Sequence, residues 1–231
     1  AAPMFDALPV VSPVTMTSKL SERNALWAAR RGLYTTVAGN RPTGTNALLE
    51  DVVVPVDVLG TTCRDLTALF DAHGYQDSVI FGHAKDGNIH FMLNEQFRDA
   101  KQLVRYRDFT EEMVQLILDA DGSLKAEHGT GRIMAPFVRR QFGDELFEVM
   151  REIKRLIDPK GFLNPGVVLA DEDTDYATDL KVAETVEEEV DRCVECGYCE
   201  PVCPSKDLTL TPRQRIVLRR EIAAAEANGD T

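Results

Sequence analysis

Ser78-Val-Ile-Phe-Gly-His83-Ala-Lys-Asp-Gly87-Asn-Ile-His90-Phe-Met-Leu-Asn94 reads as two strands joined by a tight turn, Ser78–His83 and Asn88–Asn94. Asp86-Gly87 is the dipeptide of a type I′ hairpin turn, where both central residues need positive φ. With that pair as the loop, Lys85 opposes Asn88, Ala84 opposes Ile89 and His83 opposes His90. Opposed residues share one face of the sheet, with Cβ atoms about 4.5–5.5 Å apart. Two imidazoles so placed can hold one metal ion.

Working outward, the pattern alternates. Asp51–Val56 reads as a strand, and Thr62–His73 as a helix with Leu66, Leu69 and Phe70 inward. After the hairpin, residues 99–119 form a long helix with Val104, Phe109, Met113, Leu116 and Ile117 on its apolar side, and Gly122–Ala126 reads as a strand. The order β-α-β-β-α-β predicts an α+β fold, a ferredoxin-like antiparallel sheet with helices on one face. A helix over Glu22–Leu33 precedes it. A helix over Asp144–Ile157, with Leu146, Val149, Met150, Ile153 and Leu156 apolar, follows it and stops at Asp158-Pro-Lys-Gly161.

A third ligand for the histidine pair is expected where the Gly122–Ala126 strand ends, in Glu127-His128-Gly129-Thr130-Gly131-Arg132. Three of the four histidines fall in these two segments, His73 being the outlier. The alternative is that they are satisfied structural groups. Two histidines and a carboxylate with open positions suit a divalent ion that polarises a substrate oxygen.

The net charge of −12 excludes nucleic acid as a partner. Ten acids against Lys181 lie between Asp171 and Asp191, which reads as a solvated acidic linker over 171–190. Residues 1–21, with Pro3, Pro9 and Pro13, read as the tail of a preceding domain. No apolar run reaches the roughly 18 residues of a membrane span, and no signal peptide is visible.

Cys193, Cys196, Cys199 and Cys203, followed by Pro204, form C-x2-C-x2-C-x3-C-P. In that run three thiolates wrap one 4Fe-4S cluster and the fourth serves another. Residues 191–231 are therefore expected to be part of a ferredoxin module, small and α-helical, with a helix over Pro212–Asn228 and an incomplete ligand set. A structural zinc site, which favours paired knuckles with a longer spacer, is the competing reading. A reducing cytosol suits such thiolates, which places the protein in the cytoplasm or peripherally at a membrane. Cys63 reads as a small apolar residue at a helix start.

Gly82–Phe91, His128–Arg132 and Asp158–Gly166, with Leu26-Trp27-Ala-Ala-Arg30 and Glu50-Asp51-Val-Val-Val-Pro55, resemble the C-terminal substrate domain of FAD-linked oxidases of the vanillyl-alcohol-oxidase type. Closest in pattern are D-2-hydroxyacid dehydrogenases acting on D-lactate or D-2-hydroxyglutarate, whose long bacterial versions carry a fused iron–sulfur module. The resemblance gives residues 22–170 as the substrate domain. It implies zinc or manganese on His83, His90 and Glu127, and His128 as the base for the substrate hydroxyl. It further implies Arg30 as the partner of the substrate carboxylate and Asn164 beside the flavin. The electron acceptor would be a quinone or cytochrome.

Some members place a lysine just before the position of Asp51; here Leu48, Leu49 and Glu50 stand there, so the extra substrate contact is assigned to the Arg41–Thr45 loop. The flavin-binding domain would precede Ala1, so this piece alone is expected to be inactive. A glycolate-oxidase-like flavoprotein and a non-catalytic electron-transfer or scaffold subunit are the alternatives.

Overall fold

The second hairpin strand is apolar on alternate residues, and that alternation fixes the sheet. Ile89, Phe91 and Leu93 are each at most 1% exposed. In the computed structural model, which describes residue 12 and residues 14–170 and 175–229, three strands form one antiparallel sheet. They are β1 (Asn46–Val53), β2 (Val79–His83) and β3 (Asn88–Glu95), in the order β1-β3-β2. Pro3, Pro9, Pro13 and Asp171–Asp173 lie outside the described residues.

The turn differs from the expected two-residue loop. Ala84–Asp86 makes a 3-10 turn and Gly87 closes it at φ 68°. The register therefore sets His83 opposite Asn88 and Phe81 opposite His90. The reason is the crowding at this end of the sheet: a Cβ on Gly87 would sit 1.9 Å from the Val54 carbonyl, while the Gly87 carbonyl accepts from Val54 N at 3.0 Å. The slip is an even number of residues, so every side chain keeps its face. His83 and His90 end up diagonal on one face rather than directly opposed.

That alternation sorts the sheet into two chemistries. Val52, Ile89, Phe91 and Leu93 point to the core, where helices α2 (Leu59–Ala72) and α3 (Ala100–Asp119) cover them with Leu66, Phe70, Phe109, Met113 and Ile117. Phe70 packs on Phe91 and Phe109 with ring centroids 5.6 and 5.8 Å apart. Each such fully buried side chain contributes about 1.5–3 kcal/mol. Asp99 caps α3, accepting from Gln102 N at 2.9 Å. Leu66, Phe70, Phe109, Met113 and Ile117 are buried as expected, and Leu69 and Leu116 pack half-buried against them; Val104 of α3 is exposed instead, and Tyr106, Thr110 and Val114 are buried. The opposite face carries Asp51, His83, Asn88 and His90.

Gly122–Ala126 does not form a fourth strand. Only Ser123 bridges, exchanging both backbone bonds with Val53. Beyond it the ladder is replaced by side-chain acceptors: Leu124 N donates to Gln141, and the amides of Ala126, Glu127 and His128 donate to Asp51. Among the described residues the antiparallel sheet thus has three strands and one bridge.

Helix α1 runs Leu20–Gly39, longer at both ends than Glu22–Leu33, and its Trp27 is exposed. Helix α4 spans Val138–Ile157 with a break at Gly143, so the segment expected from Asp144 is its second part. Its apolar residues Leu146, Val149, Ile153 and Leu156 are exposed, and α4 buries Val138 and Phe147 instead.

The acidic stretch is not a free linker where it is described. Tyr176 is buried against Phe137, Arg98 donates to Ala183 O at 2.7 Å, and Asn46 donates to Lys181 O. The chain thereby returns along the β1 edge and delivers short helix α5 (Glu188–Asp191), the cysteine run and α6 (Pro212–Asn228). Thr211 and Gln214 form a capping box, and Pro212 occupies the first turn of α6.

Candidate metal and substrate site

Asp51 organises the site. It has no exposed surface, on a strand whose neighbours Val52 and Val54 are core residues. Its Oδ2 accepts from the backbone amides of Ala126, Glu127 and His128 at 3.0, 2.7 and 2.9 Å. Its Oδ1 accepts from Asn88 Nδ2 at 2.7 Å and faces His90 Nδ1 at 3.2 Å. Burial alone would raise the Asp51 pKa. The His128 and Glu127 amides, Asn88 and the Ala126 amide outweigh it and hold the carboxyl below its ordinary value. One ionised side chain therefore shapes the Glu127-His128 loop and sets the His90 ring.

His90 is almost fully buried, with Nδ1 toward Asp51 and Nε2 3.0 Å from Glu127 Oε1. The same oxygen lies 3.2 Å from His83 Nε2. Burial pulls the His90 pKa down, against the opposing pull of Asp51. The His83 and His90 rings are 5.4 Å apart at 83°, and His128 stacks on His90 at 4.8 Å and 11°. Arg30 Nη2, on α1, is 3.5 Å from His83 Nε2.

The two spacings at Glu127 match those of ligands that share a divalent ion. Two donors each about 2.1 Å from one ion are about 3.0 Å apart at a right angle and about 3.4 Å apart at the tetrahedral angle. The observed 3.0 and 3.2 Å fall on that scale. His90 Nδ1 is buried and closes no hydrogen bond of good geometry, yet the acceptor it faces is the Asp51 carboxylate at 3.2 Å, the placement by which a carboxylate orients a ligand ring from its non-ligating nitrogen. Asp51, His90, Glu127 and His128 bring ligand-type atoms within 4.8 Å of one another. That group includes His128 and leaves out His83; Asp51 spends its oxygens on backbone and Asn88, so it supports the site, while His83 Nε2 and His90 Nε2 each approach the same Glu127 oxygen.

The structure therefore brings together His83, His90, Glu127, His128 and Arg30. Asn164 is exposed in a left-handed turn (φ 44°), and that segment joins the His128 loop where Val168 N donates to Gly131 O at 3.0 Å. The Arg41–Thr45 loop does not serve the site: Arg41 donates to the carbonyls of Ala38, Thr45, Asp191 and Cys193. Lys125, from another segment, pairs with buried Glu50 at 2.6 Å, but on the core face. His73, outside the site, pairs with Glu112 on α3. Asp51 was missed as a functional residue. Its signal was present, an acid inside the apolar strand Val52-Val53-Val54, since a buried carboxylate needs partners.

The cysteines are free thiols, Cys196 and Cys199 exposed and Cys193 and Cys203 half-buried. Positive φ at Glu195 and Gly197 curls their loop, and the Ser205 hydroxyl lowers the Cys203 pKa.

Residues 2–168 match the family model described as "FAD linked oxidases, C-terminal domain". The chain belongs to the FAD-linked oxidases. Among curated proteins, it is 30% identical over 150 residues to "Glycolate oxidase subunit GlcD" of Bacillus subtilis, covering 64% of this chain and 31% of that protein. It is 31% identical over 147 residues to "Probable D-lactate dehydrogenase, mitochondrial" of Danio rerio, covering 64% and 29%. It is 29% identical over 196 residues to "D-2-hydroxyglutarate dehydrogenase" of Escherichia coli, covering 74% and 19%. The chain thus spans less than a third of the length of these relatives. No helix among the described residues is long and apolar enough to cross a membrane.

Proposed function

We propose that this chain is the substrate domain of a flavin-dependent D-2-hydroxyacid dehydrogenase that passes electrons on through 4Fe-4S clusters. The observation that carries the reading is the convergence of His83 Nε2 and His90 Nε2 on one Glu127 oxygen, with Arg30 and His128 at its rim. Arg30 binds the substrate carboxylate, a task its planar fork suits. His128 accepts the hydroxyl proton as the 2-hydroxy acid becomes a 2-oxo acid. His83, His90 and Glu127 hold zinc or manganese, and Asn164 lies beside the flavin ring. When bound, the ion supplies polarisation of the hydroxyl oxygen and the flavin supplies hydride acceptance. The exposed apolar residues of α1 and α4, Trp27, Leu146 and Ile153 among them, suit a wall closed by another part of a longer protein.

D-2-hydroxyglutarate and D-lactate are the favoured substrates, and a quinone or cytochrome is the final acceptor. The "D-2-hydroxyglutarate dehydrogenase" of Haemophilus influenzae matches 78% of this chain, a share that residues 2–168 cannot contain, so similarity there extends beyond the substrate domain. The thiolate run Cys193, Cys196, Cys199 and Cys203 then starts the electron exit.

Turnover by the full-length protein on D-lactate, D-2-hydroxyglutarate and glycolate tests the reading. Arg30→Lys should raise KM for the acid more than it lowers kcat, and His128→Ala should lower kcat by about 10²–10⁴-fold, the worth of general base catalysis. Turnover on none of the three acids, or full activity in both variants, would refute it.

A further inference from the structure

Two guanidinium groups converge on the start of the cysteine run. Arg41, immediately after α1, donates to Asp191 O at 3.0 Å and Cys193 O at 3.1 Å, while its other bonds hold Ala38 O and Thr45 O at 2.8 Å. It therefore staples the cysteine segment to the end of α1. Arg220, only 8% exposed, reaches the same place from α6 and donates to Val190 O at 3.0 Å and Glu195 at 3.3 Å, with Cys193 O at 3.5 Å. Its Nε is buried and has no partner. Both arginines line a cavity of about 280 Å³ together with Tyr34, Cys193, Val194 and Glu195.

Arg220 meets the Glu195 carboxylate, but Arg41 has only carbonyl acceptors and Arg220 Nε is a spare buried donor, surroundings that a further anion relieves. A cube of iron and sulfide on cysteine thiolates is such an anion, and its potential responds to nearby charge, hydrogen bonds and burial. Helix α1 joins the two regions: Arg30 stands at the substrate site, and the helix ends at Gly39, about 14 Å further on at 1.5 Å per residue, just before Arg41 and its contacts with the cysteine segment.

Resting on the cluster reading above, we propose that Arg41 and Arg220 are positioning residues for the cluster held by Cys193, Cys196 and Cys199. They fix it at the end of α1 and raise its reduction potential above that of an uncompensated cluster.

The test is an anaerobic redox titration of the full-length protein, followed by electron paramagnetic resonance, with iron counted in each sample. Arg41→Gln and Arg220→Gln should keep the iron of the parent and shift the midpoint of one cluster to lower potential. Arg41→Lys, which keeps the charge but not the four-carbonyl grip, should hold the midpoint nearer the parent. It should also speed amide exchange over residues 190–196. Exposed Arg64→Gln on α2 is the control and should change neither. If Arg41→Gln loses its iron, Arg220→Gln and Arg41→Lys decide the matter. An iron-replete protein whose midpoints are unmoved, or moved upward, in these variants overturns the proposal and leaves the cluster reading standing. A parent protein without cluster signals overturns both, and leaves the substrate site untouched.

Discussion

Asp51→Asn changes one atom and should disable the histidine site. Three backbone amides claim Oδ2, so the carboxamide oxygen must take that position to keep the Ala126–His128 loop. The new NH2 then stands where Oδ1 was, 2.7 Å from the Asn88 donor and 3.2 Å from His90 Nδ1. Two consequences follow. Donor now faces donor at Asn88, at about 1–3 kcal/mol for each buried group left unsatisfied. His90 must offer a lone pair at Nδ1, which moves its proton to Nε2 and points it at Glu127, the wrong tautomer for a ligand. Loss of such a supporting group costs about 10–100-fold in metal affinity, or roughly 1.4–2.8 kcal/mol at 1.4 kcal/mol per decade. Competition against a chelator of known zinc affinity measures this, with near-ultraviolet circular dichroism to confirm the fold. Affinity within twofold of the parent in a folded Asp51→Asn chain would refute the argument that Asp51 sets the His90 ring.

Other perturbations probe the scaffold. Gly87→Ala places a methyl against the Val54 carbonyl at φ 68° and should lower stability in urea by more than the ~1 kcal/mol of left-handed strain. Lys125→Met strands buried Glu50, whose pKa burial already raises against the pull of Lys125, and should cost about 3–5 kcal/mol; adding Glu50→Leu should restore most of it in a double-mutant cycle. Asp158 has its pKa lowered to about 2, chiefly by Lys154 and the Leu163 amide. Its folded pKa lies below its unfolded one, so its contribution is present above about pH 4 and fades as pH falls toward 2. Carboxyl resonances followed by NMR should show Asp158 titrating last among the aspartates of this segment, and an ordinary midpoint would contradict the capping role at Phe162 and Leu163.

Much of this was legible because period-2 alternation is robust to small errors of register. The turn was read too short by two residues, yet His83 and His90 kept their common face. A one-residue error would have sent one of them into the core. The Glu127-His128 pair lies beside the two histidines although the strand expected before it does not form, since sequence shows that a chain turns but not that Asp51 replaces the ladder. Exposed apolar faces could not be foreseen: Leu146, Val149 and Ile153 have the spacing of core residues whether their partner is inside this domain or outside it. The Arg41–Thr45 loop was assigned to the substrate in place of the lysine absent before Asp51, whereas the carbonyl partners of Arg41 at 191 and 193 are 150 and more residues away in the chain. Long-range pairing of this kind leaves no local trace.

The central claim is that His83, His90 and Glu127 hold one divalent ion between them. Metal counted per chain after equilibration with zinc or manganese and gel filtration tests it most directly. The parent should retain one ion at this site, and His83→Ala, His90→Ala and Glu127→Ala should each lose it while staying folded. Retention of the parent's full metal content by folded His90→Ala would contradict the account.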